Sequence, residues 1–222
     1  MADFHIYIGY RTVSSWSLRG WLPMKKAGVA FDETLMRYRT ADGKAALNRL
    51  SPTGKVPLLI HRRPDGSAVK VWDSLAIGEY LAETVPAARL WPADPAARAH
   101  ARSVAAEMHS GFAALRNHFD MALLERRPTP SDPQALKDVA RIQAIWRECR
   151  ERWGAKGGGP FLFGRWSIAD AAYAPVATRF RTYGVTPDAL GAAYMEAVLA
   201  DPDFLVWEDQ ARKDPPQEPL PS

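Results

Sequence analysis

In Phe4-His5-Ile6-Tyr7-Ile8 fully apolar residues alternate with polar-tipped ones, the two-residue period of a short buried strand. A loop, GYRTVSS, follows, and then Leu18, Trp21 and Leu22 recur at helical spacing as far as Ala27-Gly28, where glycine suits a helix C-terminus. Pro23 lies inside this helix and, by deleting one hydrogen bond, predicts a kink. Beyond it the pattern predicts a strand over Phe31 to Met36, a short helix over Lys44 to Arg49, and strands over Val56 to His61 and Ser67 to Trp72. The turn RPDG makes the last two an antiparallel hairpin. A helix then opens at Asp73-Ser74, either of which can cap it, and carries Ile77, Tyr80 and Leu81 on one face. The predicted order is β-α-β-α-β-β-α.

Pro86, Pro92 and Pro95 interrupt the next stretch, which has no sustained apolar period, so a linker is expected over 85–94. This divides an N-terminal domain, 1–84, from a C-terminal domain, 95–222. The second half reads as all-α. Met108, Phe112, Leu115 and Phe119 form one apolar stripe, and Val139, Ile142, Trp146, Cys149 and Trp153 another, which predicts two long helices. GGGP ends the second of them. Ser167 to Phe180 and the set Leu190, Tyr194, Ala197 and Val198 predict further helices, four or five in all. The ending DPPQEPLPS is proline-rich, so the tail from about 213 is expected to lie loose on the surface.

Composition narrows the class of function. With 29 basic and 25 acidic residues spread along 222 positions, the net charge of +4 forms no dense basic block, and nucleic-acid binding is not expected. Cys149 is the sole cysteine, so neither an intramolecular disulfide nor a multi-cysteine metal site can form, and a cytoplasmic setting is the expectation. Its place between Trp146 and Trp153 reads as a small buried hydrophobe. No run of about 18 apolar residues predicts a membrane span. His100, His109 and His118 recur every nine residues, which on a continuous helix puts His109 opposite the other two, so no metal site is predicted.

Four pieces in a fixed order carry a resemblance: SSWSLRG at 14–20, GKVPLL at 54–59, WDSLAIGEYL at 72–81 and FLFGRWSIADAAYAPV at 161–176. Together they resemble the glutathione transferases. The resemblance implies a thioredoxin-like α/β N-terminal domain followed by an all-α helical bundle, glutathione as co-substrate, a small hydrophobic electrophile as second substrate, no metal, and a homodimer. It also implies chemistry. A free thiol has a pKa of about 8.5, and a hydroxyl hydrogen bond at a helix N-terminus favours its anion. In serine-type classes the reactive serine lies five residues before an arginine, as Ser14 does before Arg19. Ser15 takes the role if the loop is shifted by one, and Tyr10 if the enzyme is tyrosine-type; a serine here can also simply cap the helix.

The same resemblance assigns Pro57 as a cis-proline that presents the Val56 backbone to glutathione, Lys55 and more weakly Lys44 as partners of the glycyl carboxylate, and Asp73-Ser74 as the grip on the γ-glutamyl end. Trp16 stands beside them as a further contact, and Tyr10, Trp16, Met108 and Phe112 are expected around the second-substrate pocket. The zeta-type isomerases begin this motif Ser-Ser-Cys, whereas Trp16 occupies the third position here. The Ser-Ser pair makes a maleylacetoacetate-type cis-trans isomerase one alternative, with Trp16 counting against it, and a non-catalytic binding module is another. Finally, Ser167 and Asp170 form a capping-box pattern, read as structural.

Overall fold

The computed structural model describes residues 3–218. Strands β1 (Phe4–Ile8), β2 (Phe31–Leu35), β3 (Leu58–Arg62) and β4 (Ala68–Trp72) make one sheet in the order β2-β1-β3-β4. β1 runs parallel to β2, with Phe4 beside Phe31 and Ile8 beside Leu35, while β3 is antiparallel to both β1 and β4. A parallel pair needs a crossover, and helix α1 (Ser15–Lys26) supplies it. Helix α2 (Ala41–Leu50) joins β2 to β3, and α3 (Ser74–Thr84) follows β4. The strand and helix order is the one the apolar pattern predicts, with ends moved by up to three residues.

Pro23 does not stop α1, which continues to Lys26. The one bond lost is the one that Arg19 O would accept, and the helix runs on for a final turn beyond it. α1 is buried along most of its length because β1 lies on one side and the second half of the chain on the other: Arg19 Nε donates to Ala172 O at 2.8 Å, and the rings of Trp21 and Trp207 meet edge to face at 5.3 Å.

That second half comprises α4 (Pro95–Ser110), α5 (Ala113–His118), α6 (Pro133–Cys149), α7 (Ile168–Tyr183), α8 (Ala189–Leu199) and α9 (Pro202–Lys213). α4, α6 and α9 each open on Asp-Pro: the aspartate caps the first turn and proline occupies the first helical position, where no N–H is needed. α7 forms the centre and is buried on nearly every face. At its start Asp170 accepts hydrogen bonds from Ser167 N at 2.7 Å, Ser167 Oγ at 3.0 Å and Leu162 N at 3.1 Å, so the box also ties down the preceding loop.

Three expectations are corrected. The stripe Met108, Phe112, Leu115, Phe119 is not one helix: the chain breaks at Gly111-Phe112, where Phe112 takes a left-handed φ of 61°, and Arg116 satisfies the freed carbonyls by donating to Gly111 O at 3.1 Å and to Met108 O. α9 was not foreseen, and it brings the helices of this half to six. The tail is not loose as far as it is described. Asp214 pairs with Arg11, and Glu218 takes bonds from Tyr10 Oη and Arg37, because β1, β2 and their loops present cations that this acidic segment matches. The last residues of the tail, 219–222, lie outside the described part.

Candidate functional site

A cleft of about 440 Å³ opens between the two halves. Its N-terminal wall carries Ser14, Ser15, Trp16, Lys44, Lys55 and Val56, and its C-terminal wall carries Arg116, Asp120, Met121 and Arg179. Six of the residues singled out in the sequence thus share one cavity. Pro57 is buried beneath them, next to Gly20, and the Val56–Pro57 peptide is cis.

Ser14 occupies the N-cap of α1 and is 7% exposed. Its Oγ accepts the Ser17 N–H at 3.3 Å and donates to Ser17 Oγ at 2.8 Å, and Ser17 Oγ accepts the Gly9 N–H at 2.9 Å. Gly9 is small because the site closes round it: a Cβ there would lie 2.6 Å from Tyr38 Cε1, 3.1 Å from Val56 Cγ2 and 3.2 Å from Ser14 Oγ. Ser14 and Val56 are therefore brought to either side of one backbone point. Val56 N–H and C=O make no hydrogen bond among the described residues, which leaves an open donor and acceptor on the cleft wall next to the helix N-terminus. Lys44 Nζ reaches Gly54 O at 3.3 Å, on the same rim as Lys55.

Tyr10 is corrected. It is not on the cleft wall, its hydroxyl is given to Glu218, and burial followed by that bond pushes the phenol up to about 12. Met108 and Phe112 are buried and likewise absent from the wall. Asp73 and Ser74 stand apart from the cleft, at the start of α3. Asp73 holds a φ of 77°, in the region side chains rarely enter, and its carboxylate is occupied: Oδ1 caps Leu75 N at 2.8 Å, and Oδ2 lies 3.1 Å from His109 Nε2. Ser74 is buried and its Oγ has no partner. The link back to the cleft runs through His109, whose ring meets that of Trp16 edge to face at 5.3 Å.

Trp16, 37% exposed, has two guanidiniums on its ring, Arg116 at 4.6 Å and Arg19 at 5.0 Å from the centroid. Burial holds the cleft arginines Arg116 and Arg179, and Arg19 behind Trp16, below the ordinary guanidinium range, and for Arg19 and Arg179 the charges of neighbouring arginines add to the effect. Arg116 and Arg179 escaped the sequence reading because Arg116 sits at a helix break and Arg179 inside an apolar helix. Among the described residues no group of three or more His, Cys, Asp and Glu side chains is placed to hold a metal ion. No helix there is long and apolar enough to cross a membrane.

Two family models match the chain in the order of its two halves: the glutathione S-transferase N-terminal domain over 13–84 and the glutathione S-transferase C-terminal domain over 95–204. The chain belongs to the glutathione S-transferase family. A probable maleylacetoacetate isomerase of Caenorhabditis elegans is 34% identical over 122 residues, which is 55% of this chain and 54% of that protein. The glutathione S-transferase GstB of Escherichia coli K12 is 33% identical over 145 residues, 62% of this chain and 65% of that protein. The matched stretch thus spans half to two thirds of these relatives. Among solved structures, a glutathione transferase homologue from Burkholderia GL BGR1 with bound glutathione superposes with a TM-score of 0.70 at 25% identity, covering 96% of this chain and all of the other (100%). A maleylacetoacetate isomerase from Anaeromyxobacter dehalogenans, also solved with glutathione, shares the fold of this chain at a TM-score of 0.70 and 24% identity, over 97% of this chain and 98% of that one.

Proposed function

We propose that this chain is a serine-type glutathione transferase: the cleft binds glutathione, Ser14 stabilises its thiolate, and the sulfur adds to a small electrophile. One observation carries the reading, the placement of Ser14 at the N-terminus of α1 beside the unpaired main chain of Val56 on the same wall of the cleft. An extended peptide paired with Val56 would set its cysteinyl sulfur beside Ser14 Oγ and the first turn of α1, where the Trp16 N–H has no acceptor among the described residues. A hydroxyl donor and a positive helix end both favour the anion. Lowering a thiol from about 8.5 to about 6.5 takes roughly 2.7 kcal/mol, within reach of one charge-assisted hydrogen bond and the helix end together. The thiol proton leaves to solvent, the sulfur lone pair forms the new bond to carbon, and the displaced group departs with its electron pair.

Lys44 and Lys55 supply positive charge for the glycyl carboxylate on the same rim. Asp73-Ser74, outside the cleft wall, offers the start of α3 and the unpartnered Ser74 Oγ to the far end of the tripeptide. Calorimetric titration of glutathione into the wild type and Ser14→Ala, with thiolate absorbance followed against pH, tests the reading. Binding with ionisation near neutral pH in the wild type, and binding without it in Ser14→Ala, is the expected result. Failure of the wild type to bind at millimolar glutathione overturns it in favour of a binding module.

The likeness to a worm protein named as a probable maleylacetoacetate isomerase favours a second reading, glutathione-dependent cis-trans isomerisation of a maleyl-type acid. A direct isomerase assay separates the two. A cytoplasmic homodimer belongs to the same proposal, and sedimentation at micromolar concentration tests its assembly.

A further inference from the structure

The nitrogen atoms of two cleft arginines can be accounted for one by one. Arg179 is 3% exposed, and its Nε donates to Phe119 O at 2.7 Å. Its Nη1 is sealed without a partner, so Nη2, which has no protein acceptor and is not sealed, is the atom that faces the cleft. Arg116 uses Nε on Gly111 O and Nη2 on Met108 O, leaving Nη1 as its open donor on the same wall. Among the described residues neither arginine makes a direct ion pair, although the Asp120 carboxylate lies near enough to Arg179 to act on it through space. Asp120, the acid on that wall, spends Oδ1 on Arg127 and on Tyr183 Oη. Arg179 is held down to about 10, first by burial and then by the charge of Arg116, against a smaller opposite pull from Asp120, so the repulsion between the two guanidiniums is only partly offset.

From this geometry we infer that the C-terminal wall of the cleft is a carboxylate receptor, in which Arg116 and Arg179 select a second substrate bearing an anionic carboxylate. Two open N–H donors match the two oxygens of a carboxylate, and a guanidinium keeps its charge where an ammonium would lose it. A buried cation without a partner is costly, and an arriving anion removes that cost for both arginines at once. The term second substrate rests on the transferase reading; the receptor does not. Glutathione's own carboxylates are assigned elsewhere, to the Lys44 and Lys55 rim and to α3, so the receptor stays open when glutathione is bound.

The test is calorimetric binding of 3-nitrobenzoate against its neutral isostere 3-nitrobenzamide, to the full chain with and without saturating glutathione, glutathione occupancy being read separately by thiolate absorbance. The benzoate is expected to bind at least about tenfold more tightly than the amide, a preference that 0.5 M salt weakens and that Arg116→Gln and Arg179→Gln each reduce toward equality. Equal affinity for the two compounds in the wild type overturns the inference, as does a preference unchanged in Arg116→Gln. Competition between benzoate and glutathione also overturns it, because the arginines would then serve the peptide. Should Arg179→Gln fail to fold by circular dichroism, the wild-type isostere pair and Arg116→Gln decide alone. Loss of the thiolate signal with the benzoate preference retained rejects the transferase reading and leaves the receptor standing.

Discussion

Ser14 Oγ lies 2.8 Å from Ser17 Oγ, which in turn accepts the Gly9 N–H. In this arrangement the Ser14 proton points inward, and the proton of Ser17, a fully buried residue, has no acceptor. A thiolate in the cleft would draw the Ser14 proton outward and let Ser17 donate to Ser14 Oγ, so that every proton of the pair is used. Ser17→Ala is therefore expected to leave glutathione affinity within about twofold while raising the pKa of the bound thiol by roughly 0.5–1, the equivalent of about one hydrogen bond. The measurement is thiolate absorbance against pH in the saturated protein. An unchanged titration curve would mean that Ser17 acts only in packing.

Gly9→Ala tests the closeness of the site. The new methyl meets Tyr38, Val56 and Ser14 at 2.6 to 3.2 Å, and the Tyr38 ring is held edge to face by Tyr10. A loss of about 1–3 kcal/mol of stability in urea unfolding is expected, accompanied by a loss of glutathione affinity larger than that of Ser14→Ala. Affinity equal to wild type would show that the walls yield.

Asp170 gives a pH signature. Burial raises its carboxyl to about 6 despite the hydrogen bonds it accepts, while the unfolded chain should titrate near 3.9. Between these values the folded protein holds the proton more tightly. Its contribution is thus fully present below about pH 4 and is lost as pH rises through 6, by roughly 3 kcal/mol at most. Urea midpoints from pH 4 to pH 7 should show this slope, and Asp170→Asn should flatten it while lowering stability at pH 4 through weaker acceptance from Ser167 and Leu162. A slope of the opposite sign that disappears in Asp170→Asn would refute the assignment.

Cys149 is fully buried, and burial pushes its thiol up to about 12. A water-soluble disulfide reagent should label it only as fast as the protein unfolds, with an acceleration of several orders of magnitude in denaturant. Prompt labelling of the native protein would contradict that placement.

The elements that the sequence made legible are those whose apolar period is uninterrupted. β1, α1 and α6 show it, and the Asp73-Ser74 start of α3 was readable from cap chemistry alone. Periodicity failed where it is mimicked. Met108, Phe112, Leu115 and Phe119 keep helical spacing across a break made by one left-handed residue, and the signal for that break, Gly111, is weak. α9 was missed although Asp201-Pro202 followed by Phe204, Trp207 and Ala211 carries both a start and a face; the stretch between the last apolar set at Val198 and the proline-rich tail carries no predicted element. At the site, Ser14, Lys55 and Val56 were readable because short motifs mark them. Arg116 and Arg179 were not, since no local pattern tells a buried arginine on a cleft wall from one on a solvated helix face.

The packing of Trp21 against Trp207, together with the Arg11–Asp214 pair, has a consequence for biosynthesis. The ribosome completes the sheet and α1 long before it makes α9, so for most of translation the outer face of Trp21 has no cover and Arg11 has only Glu33. The nascent N-terminal half must wait, partly bare, for the final stretch of chain. A stop codon near position 200 would thus disable not the last helix alone but the half of the molecule that was made first.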